Sequence, residues 1–134
     1  MATTDQPGSG ESVGQETETG LEENVAAALS YVLGFITGII MFLVESENDH
    51  VRFHAAQSIV VFGALFVVSI AMSFIRAIAG LSDILGFIVG AIFGLIGIVL
   101  WLGGFILWIY LLVRTYQGKN PRIPVAAGIA DGFV

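Results

Sequence analysis

The chain contains no cysteine, which excludes disulfide bonds, thiolate catalysis and sulfur-ligated metal centres. Basic residues are also scarce, since five Lys and Arg stand against 11 Asp and Glu. A protein surface that follows the phosphates of a nucleic acid needs clustered Lys and Arg side chains. We therefore expect no nucleic-acid partner.

Charged residues of either sign make up only 12% of the sequence, whereas hydrophobic residues make up 56%. A soluble domain of 134 residues would need far more polar residues to cover its surface. The charges are also segregated, because long uncharged stretches separate short polar ones. These features predict one all-α integral membrane domain whose main environment is the lipid bilayer.

Three stretches are apolar and long enough to cross a bilayer as helices: residues 24–44, about 51–75, and 84–113. The first and third carry no charge, and the second carries only Arg52, near its start. The first would give about 30 Å of helix, which matches the hydrocarbon core of a bilayer. The third is longer than a single span requires, and two short spans in this region would raise the total to four. We expect three transmembrane helices, with four as the alternative.

The composition divides the chain into three parts. Residues 1–20 are rich in Gly, Ser, Thr and Glu and have little to bury, so we predict a disordered acidic tail. Residues 21–117 form the helical transmembrane domain. Residues 118–134 contain Pro121 and Pro124, which favour a short extended tail.

Basic residues orient the protein, because cytoplasmic loops carry an excess of Lys and Arg. With three spans, Arg52, Arg114, Lys119 and Arg122 share one side and Arg76 lies on the other. This places the first loop and the C-terminus on the cytoplasmic side of the cell membrane and the acidic N-terminus outside. With four spans, four basic residues again lie on one side and one on the other, but both termini are inside. The distribution of basic residues therefore does not choose between three and four spans.

Two stripes of small residues recur at every fourth position of the predicted helices. The first consists of Ala26, Ser30, Gly34 and Gly38, and the second of Gly86, Gly90 and Gly94. Gly and Ala are common in membrane helices, so such stripes also arise without a function. We favour packing faces, because small side chains let helix backbones approach closely in a bilayer.

The most polar stretch attached to a predicted span begins with two histidines. His50 and His54 lie one helical turn apart and together could supply two metal ligands. The zinc-protease motif requires Glu directly after the first His, and here that residue is Val51. We therefore favour contacts with headgroups and neighbouring helices over a metal site, and we expect no cofactor and no catalytic residue.

Arg52 has two candidate partners, an ion pair with Glu45 or Glu47 and a lipid phosphate. Gln57 and Ser58 lie deeper, where polar groups usually bond to neighbouring helices. The basic residues of the C-terminal tail are suited to anionic headgroups. The candidate partner- or lipid-contact residues are Arg52, His54, Gln57, Ser58, Lys119 and Arg122.

Several short strings resemble a family of small prokaryotic membrane proteins of unknown function. The family is grouped with the twenty-kilodalton inner-envelope component of the chloroplast Tic import machinery. The matching residues are Asn24, Ala28, Tyr31, Gly34, Glu45, Val51-Arg52-Phe53-His54-Ala55, Gln57-Ser58, Tyr116-Gln117-Gly118, Pro124, Gly128 and Ala130-Asp131. The resemblance covers roughly residues 22–131, and the string Val-Arg-Phe-His-Ala-x-Gln-Ser is its most specific part.

The resemblance implies a multi-pass protein, and by analogy with the plant component a role in protein translocation. It carries over no catalytic residue. The leading interpretation is a non-enzymatic subunit or scaffold that packs with other membrane proteins or with itself. The alternative is a small oligomeric channel or transporter with Gln57, Ser58 and the glycines lining its path. An enzyme at the His50 and His54 turn is the least favoured.

Overall fold

A computed structural model describes residues 16–134, and helices are the only regular secondary structure in that range. Most of the predicted acidic tail lies outside the described residues. The five helices are α1 (Glu23–Val32), α2 (Phe35–Val44), α3 (Asp49–Ala79), α4 (Asp83–Tyr116) and α5 (Ala126–Asp131).

The first predicted span is not one helix. The chain turns between α1 and α2 at Gly34, whose φ of 64° lies in the left-handed region that glycine adopts most easily. The hydroxyl of Thr37 accepts a hydrogen bond from the amide of Leu33 and lies 3.3 Å from the carbonyl oxygen of Ser30. These contacts replace helical hydrogen bonds at the break, so the prediction of a single span over residues 24–44 is wrong.

Helix α2 runs back alongside α1. The carboxylate of Glu45, just after α2, accepts hydrogen bonds from the amides of Glu18 and Thr19, just before α1. Ala27 and Met41 belong to one buried cluster. Each helix has 10 residues, or about 15 Å, roughly half the hydrocarbon thickness. The two helices therefore form a hairpin whose outer ends lie at the same end of the molecule.

Two helices are long and apolar enough to cross a membrane, α3 with 31 residues and α4 with 34. The side chains of Asn48 and Ser82 accept hydrogen bonds from the amides of Val51 and Leu85 and cap the two helices. Helix α4 contains the whole uncharged stretch of residues 84–113 without a break, so the division into two short spans is wrong.

The hairpin packs against the first half of α3 and the last part of α4. The side-chain amide of Asn24 donates to the carbonyl of Tyr116, and the indole of Trp108 donates to the carbonyl of Tyr31. Beyond the hairpin tip only α3 and α4 continue. We call residues 66–79 of α3 and 83–105 of α4 the stem, and the opposite end of the molecule the polar end.

The polar end gathers residues 16–22, the loop between α2 and α3, and the C-terminal segment. The expectation that the N-terminal tail lies across the membrane from the first loop is therefore wrong for residues 16–22. The C-terminal segment is extended only up to Pro124. It then forms α5, which packs against α3 through Ala127 and Ala130 on Phe53 and Ala56. The predicted extended tail is thus partly helical.

Candidate functional site

Three fully buried polar side chains, Tyr31, His54 and Gln57, meet where α1, α3 and the C-terminal segment come together. The phenolic oxygen of Tyr31 lies 2.6 Å from Nδ1 of His54 and accepts a hydrogen bond of 2.8 Å from Nε2 of Gln57. A buried polar group is costly unless it is hydrogen-bonded, and here each group supplies the other's partner. We call these three residues the buried polar cluster.

One tautomer of His54 lets the Tyr31 hydroxyl use both its donor and its acceptor capacity. In that tautomer the hydroxyl accepts from Gln57 and donates to Nδ1, and the imidazole proton is on Nε2. Nε2 is buried and makes no hydrogen bond of good geometry to residues 16–134. It interacts with the side chain of Asn120, whose Oδ1 is also buried without a well-formed hydrogen bond. The imidazole is therefore enclosed on both sides by α1 and the C-terminal segment.

Gln57 attaches the C-terminal segment to α3. Its Nε2 donates to the carbonyl of Pro121 at 3.0 Å, and its Oε1 accepts from the amide of Ile123 at 2.7 Å. One side chain thus satisfies two backbone groups in the non-helical part of the segment, before α5. A second contact lies at the surface, where Arg122 and Asp131 of the segment form an ion pair of 2.5 Å.

Ser58 and Gly38 hold the hairpin against α3. The hydroxyl of Ser58 donates to the carbonyl of Gly34 at the hairpin tip, at 2.9 Å. A Cβ atom added to Gly38 would lie 3.0 Å from the carbonyl oxygen of Ala55 and 3.2 Å from Ile59 and Ser58. A side chain at position 38 would therefore have to push these neighbours aside, so glycine favours the close approach of α2 to α3.

Arg52 does not form the predicted ion pair with Glu45 or Glu47. Its guanidinium donates to the carbonyl of Phe42 at 2.9 Å and lies 3.9 Å from the centre of the Phe42 ring. This carbonyl is one of the last in α2, where helices leave carbonyl groups without a partner and favour positive charge. Arg52 therefore caps the C-terminal end of α2.

Glu45 is a central residue that the sequence analysis considered only as an ion-pair partner of Arg52. Its carboxylate is fully buried and accepts from the amides of Glu18 and Thr19 at 2.7 and 3.0 Å. Glu18 in turn accepts from the hydroxyl of Ser46, and this hydrogen bond lowers the pKa of the Glu18 carboxyl below its usual value. The only signal in the sequence was the place of Glu45 among the matching residues of the resemblance.

The two histidines lie as predicted on one face of α3, with ring centres 4.8 Å apart. Nδ1 of His54 is already engaged by Tyr31. Residues 16–134 contain no group of three His, Asp or Glu side chains arranged to hold a metal ion. In the structure His54 takes part in the buried polar cluster, and the ring of His50 packs edge-on against it.

The two small-residue stripes have different surroundings. In the first stripe, Ala26, Ser30 and Gly38 are buried, but the turn at Gly34 divides it between two antiparallel helices. In the second stripe, Gly86 lies against the turn that joins α3 to α4. A Cβ atom added to Gly90 or Gly94 would touch nothing within 4 Å among the described residues. Packing of these two glycines against another protein stays a prediction.

The sequence-predicted contact residues thus fall at one end of the molecule. The structure joins His54, Gln57 and Ser58 to the hairpin and the C-terminal segment and places Arg52 on α2. Arg122 pairs with Asp131, while the side chain of Lys119 is exposed and forms no hydrogen bond or ion pair with the described residues. Tyr31 was not among the predicted site residues, although it is the centre of the cluster.

The profile of the magnetosome magnetite crystal formation protein family, MamF/MmsF, matches residues 22–130. The chain belongs to this family. The matched range begins just before α1 and ends within α5, so it contains the whole buried polar cluster and the hairpin.

Curated archaeal relatives carry the name UPF0132 membrane protein. One from Methanocaldococcus jannaschii is 38% identical over 118 residues, which is 88% of this chain and 94% of the relative. One from Archaeoglobus fulgidus is 39% identical over 111 residues, 83% of this chain and 94% of the relative. A second from M. jannaschii is 32% identical over 114 residues, 85% of this chain and 71% of the relative. No solved structure matches the chain.

The matches make this MamF/MmsF family member a membrane protein from a family of unknown function. The names of the archaeal relatives describe membrane proteins and no activity. The resemblance to the Tic component is not among the relationships that these matches establish, so a role in translocation stays a prediction.

Proposed function

We propose that this chain is a non-enzymatic multi-pass subunit of the cell membrane that acts through packing with other membrane proteins or with its own copies. The proposal rests on one observation: the polar motif makes its hydrogen bonds within this chain. Tyr31, His54 and Gln57 are fully buried and bond to one another and to backbone groups of the same chain. These polar residues therefore stabilise the fold of the chain itself.

The stem supports association, because the rest of the described chain does not cover it. The hairpin ends halfway along α3 and α4, and large apolar side chains of both helices are exposed beyond it. On α4 these include side chains spaced by three and four residues, as in helices that pack side by side: Ile88, Ile92, Leu95 and Val99. In a bilayer, such faces pair through van der Waals contacts between helices.

We also propose that the polar end faces the cytoplasm. Arg52, Arg114, Lys119 and Arg122 are at this end, whereas Arg76 alone is at the far end of the stem. The excess of basic residues on one side is the pattern of a cytoplasmic face. The subunit would then present residues 16–22, the loop after α2 and α5 to partners on that side.

Chemical crosslinking in native membranes, followed by copurification in mild detergent, tests the subunit role. We expect crosslinked species above the mass of one chain and a defined set of copurifying membrane proteins or a homo-oligomer. A chain that stays monomeric and alone under both conditions would contradict the proposal. A translocation component would be recognised by copurifying secretory or import machinery.

The channel alternative receives less support from the geometry. Gln57 and Ser58, the residues expected to line a path, are fully buried and hydrogen-bonded within the chain. Neither side chain faces an open passage in one copy.

The description of the family names magnetite crystal formation. A membrane subunit that packs with other proteins is compatible with that description, and the proposal assigns no mineral to this chain.

A further inference from the structure

A crevice opens between α3 and α4 at the point where the hairpin ends. Its volume is about 570 Å³. The hairpin tip at Leu33, Gly34 and Phe35 forms its roof, and the stem helices form its walls. Because α1 and α2 reach only about halfway across the bilayer, the crevice lies in the half of the membrane that the hairpin leaves empty.

Apart from Arg76 at its far end, the interior of the crevice is apolar or lined by polar groups that are already hydrogen-bonded. The hydroxyls of Ser69 and Ser73 donate to the carbonyls of Leu65 and Ser69 on their own helix. The indole of Trp108 donates to Tyr31. The remaining walls are aliphatic and aromatic, including Phe66, Phe93 and Trp101. A ligand in this space needs an apolar body.

Arg76 closes the far end of the crevice. It lines this cavity and two adjoining ones, of about 400 and 460 Å³, along α4. Its guanidinium makes no ion pair or hydrogen bond with residues 16–134, in contrast to Arg52 and Arg122. The neighbouring surface of α4 is formed by Gly90 and Gly94, so a bulky group can reach the guanidinium there.

We propose that this crevice binds an anionic phospholipid, with one acyl chain between α3 and α4 and the phosphate at Arg76. A guanidinium offers paired donors that match phosphate oxygens, and the apolar walls match an acyl chain. A second copy of this chain would be a poorer partner, because it offers few negative charges to Arg76. Of the acidic residues in the described range, only Asp83 lies at the same end as Arg76.

The two tryptophans of the chain, Trp101 and Trp108, both line the crevice, so their fluorescence reports its occupant. The protein is reconstituted in phosphatidylcholine vesicles that contain a small fraction of phosphatidylglycerol. Bromine atoms, which quench tryptophan, are placed on the acyl chains of either the phosphatidylglycerol or an equal amount of the phosphatidylcholine. We expect about a fivefold preference for the anionic lipid, the factor expected from one basic side chain near a bilayer surface.

Two pairs of variants separate the crevice from the rest of the surface. Arg76→Gln should abolish the preference, whereas Arg114→Gln at the polar end should keep it. Gly97→Leu places a side chain in the crevice and should reduce quenching, whereas Gly103→Leu lies outside it. An added Cβ at either glycine touches nothing within 4 Å, so both variants should fold.

Three outcomes would overturn the proposal. Equal quenching by the two brominated lipids would show that Arg76 meets only the surrounding bilayer. A preference that survives Arg76→Gln but is lost in Arg114→Gln would place the anionic lipid at the polar end. Efficient intermolecular disulfide formation by Gly97→Cys, without a lipid preference, would assign the crevice to a second copy.

Discussion

The phenolic oxygen of Tyr31 lies 2.6 Å from Nδ1 of His54, although 23 positions separate the two residues in the chain. Tyr31 belongs to the hairpin of α1 and α2, and His54 belongs to α3, which is long enough to span a membrane. The same oxygen also accepts from Gln57, which holds the C-terminal segment. One hydroxyl group therefore connects the hairpin to α3 and, through Gln57, to the C-terminal segment.

Replacing Tyr31 by Phe should destabilise the protein. The substitution removes the hydrogen-bond partner of both His54 and Gln57 in a fully buried place, and each unsatisfied buried group costs about 1–3 kcal/mol. Thermal unfolding in detergent measures the loss. Tyr116→Phe is the matched control, because Tyr116 is exposed and its hydroxyl makes no hydrogen bond within residues 16–134. Equal midpoints for the two variants would contradict the importance of the cluster.

Replacing Gln57 by Leu should release the C-terminal segment. The variant loses the hydrogen bonds to Pro121 and Ile123, so the backbone around Lys119 and Arg122 should open more often to a protease. We expect trypsin to cleave there several-fold faster than in the parent protein. Gln117→Leu makes the same chemical change at an exposed position and should leave the rate unchanged. Unaltered cleavage of the Gln57 variant would show that other contacts hold the segment.

The two long helices could be predicted from sequence because their signal is continuous. Helices α3 and α4 are uninterrupted apolar runs with a capping residue in front of each, Asn48 and Ser82. The hairpin could not be predicted in the same way. Its turn lies inside an apolar run of ordinary span length, and Gly34 fits a helix-packing stripe as well as a turn.

The candidate site was only partly accessible from sequence. The string around His54 and Gln57 is specific, and the depth of Gln57 and Ser58 predicts bonds to neighbouring helices. The partners of His54 and Gln57 come from α1 and from the C-terminal segment. These parts approach α3 only because the first predicted span is broken. Without that break, nothing indicated that Tyr31 and Pro121 lie beside the same side chain.

Replacing Gly38 by Ala should destabilise the hairpin. The added methyl group would lie 3.0 Å from the carbonyl oxygen of Ala55 and 3.2 Å from Ile59 and Ser58, and such overpacking typically costs about 1–3 kcal/mol. Gly103→Ala is the control, because its methyl group touches nothing within 4 Å and alanine is the better helix former. The two variants should therefore shift the unfolding midpoint in opposite directions. A neutral Gly38 variant would argue against close packing of α2 on α3.

Acid should release residues 16–19 from the loop after α2. The hydrogen bond from Ser46 lowers the pKa of Glu18, so this carboxylate stabilises the docked segment at pH values above its pKa in the unfolded chain. The contribution is lost as the pH falls through the lowered pKa of the folded state. The amide of Glu47, which donates to Glu18, should report this titration by NMR in micelles. Ser46→Ala should raise the midpoint, and an unchanged midpoint would contradict the assignment.

Cysteine labelling can separate a re-entrant hairpin from a spanning first helix, and the absence of native cysteine makes the experiment clean. Single cysteines at Thr19, Ser46 and Gly132 should react with a membrane-impermeant maleimide from the same side, because all three positions lie at the polar end. A cysteine at Ser82 should react only from the other side. Given the basic residues of the polar end, the first three should be protected in intact cells and labelled in inverted vesicles. Labelling of Thr19 and Ser46 from opposite sides would require a helix that crosses the bilayer between them, and the hairpin of α1 and α2 would then be excluded.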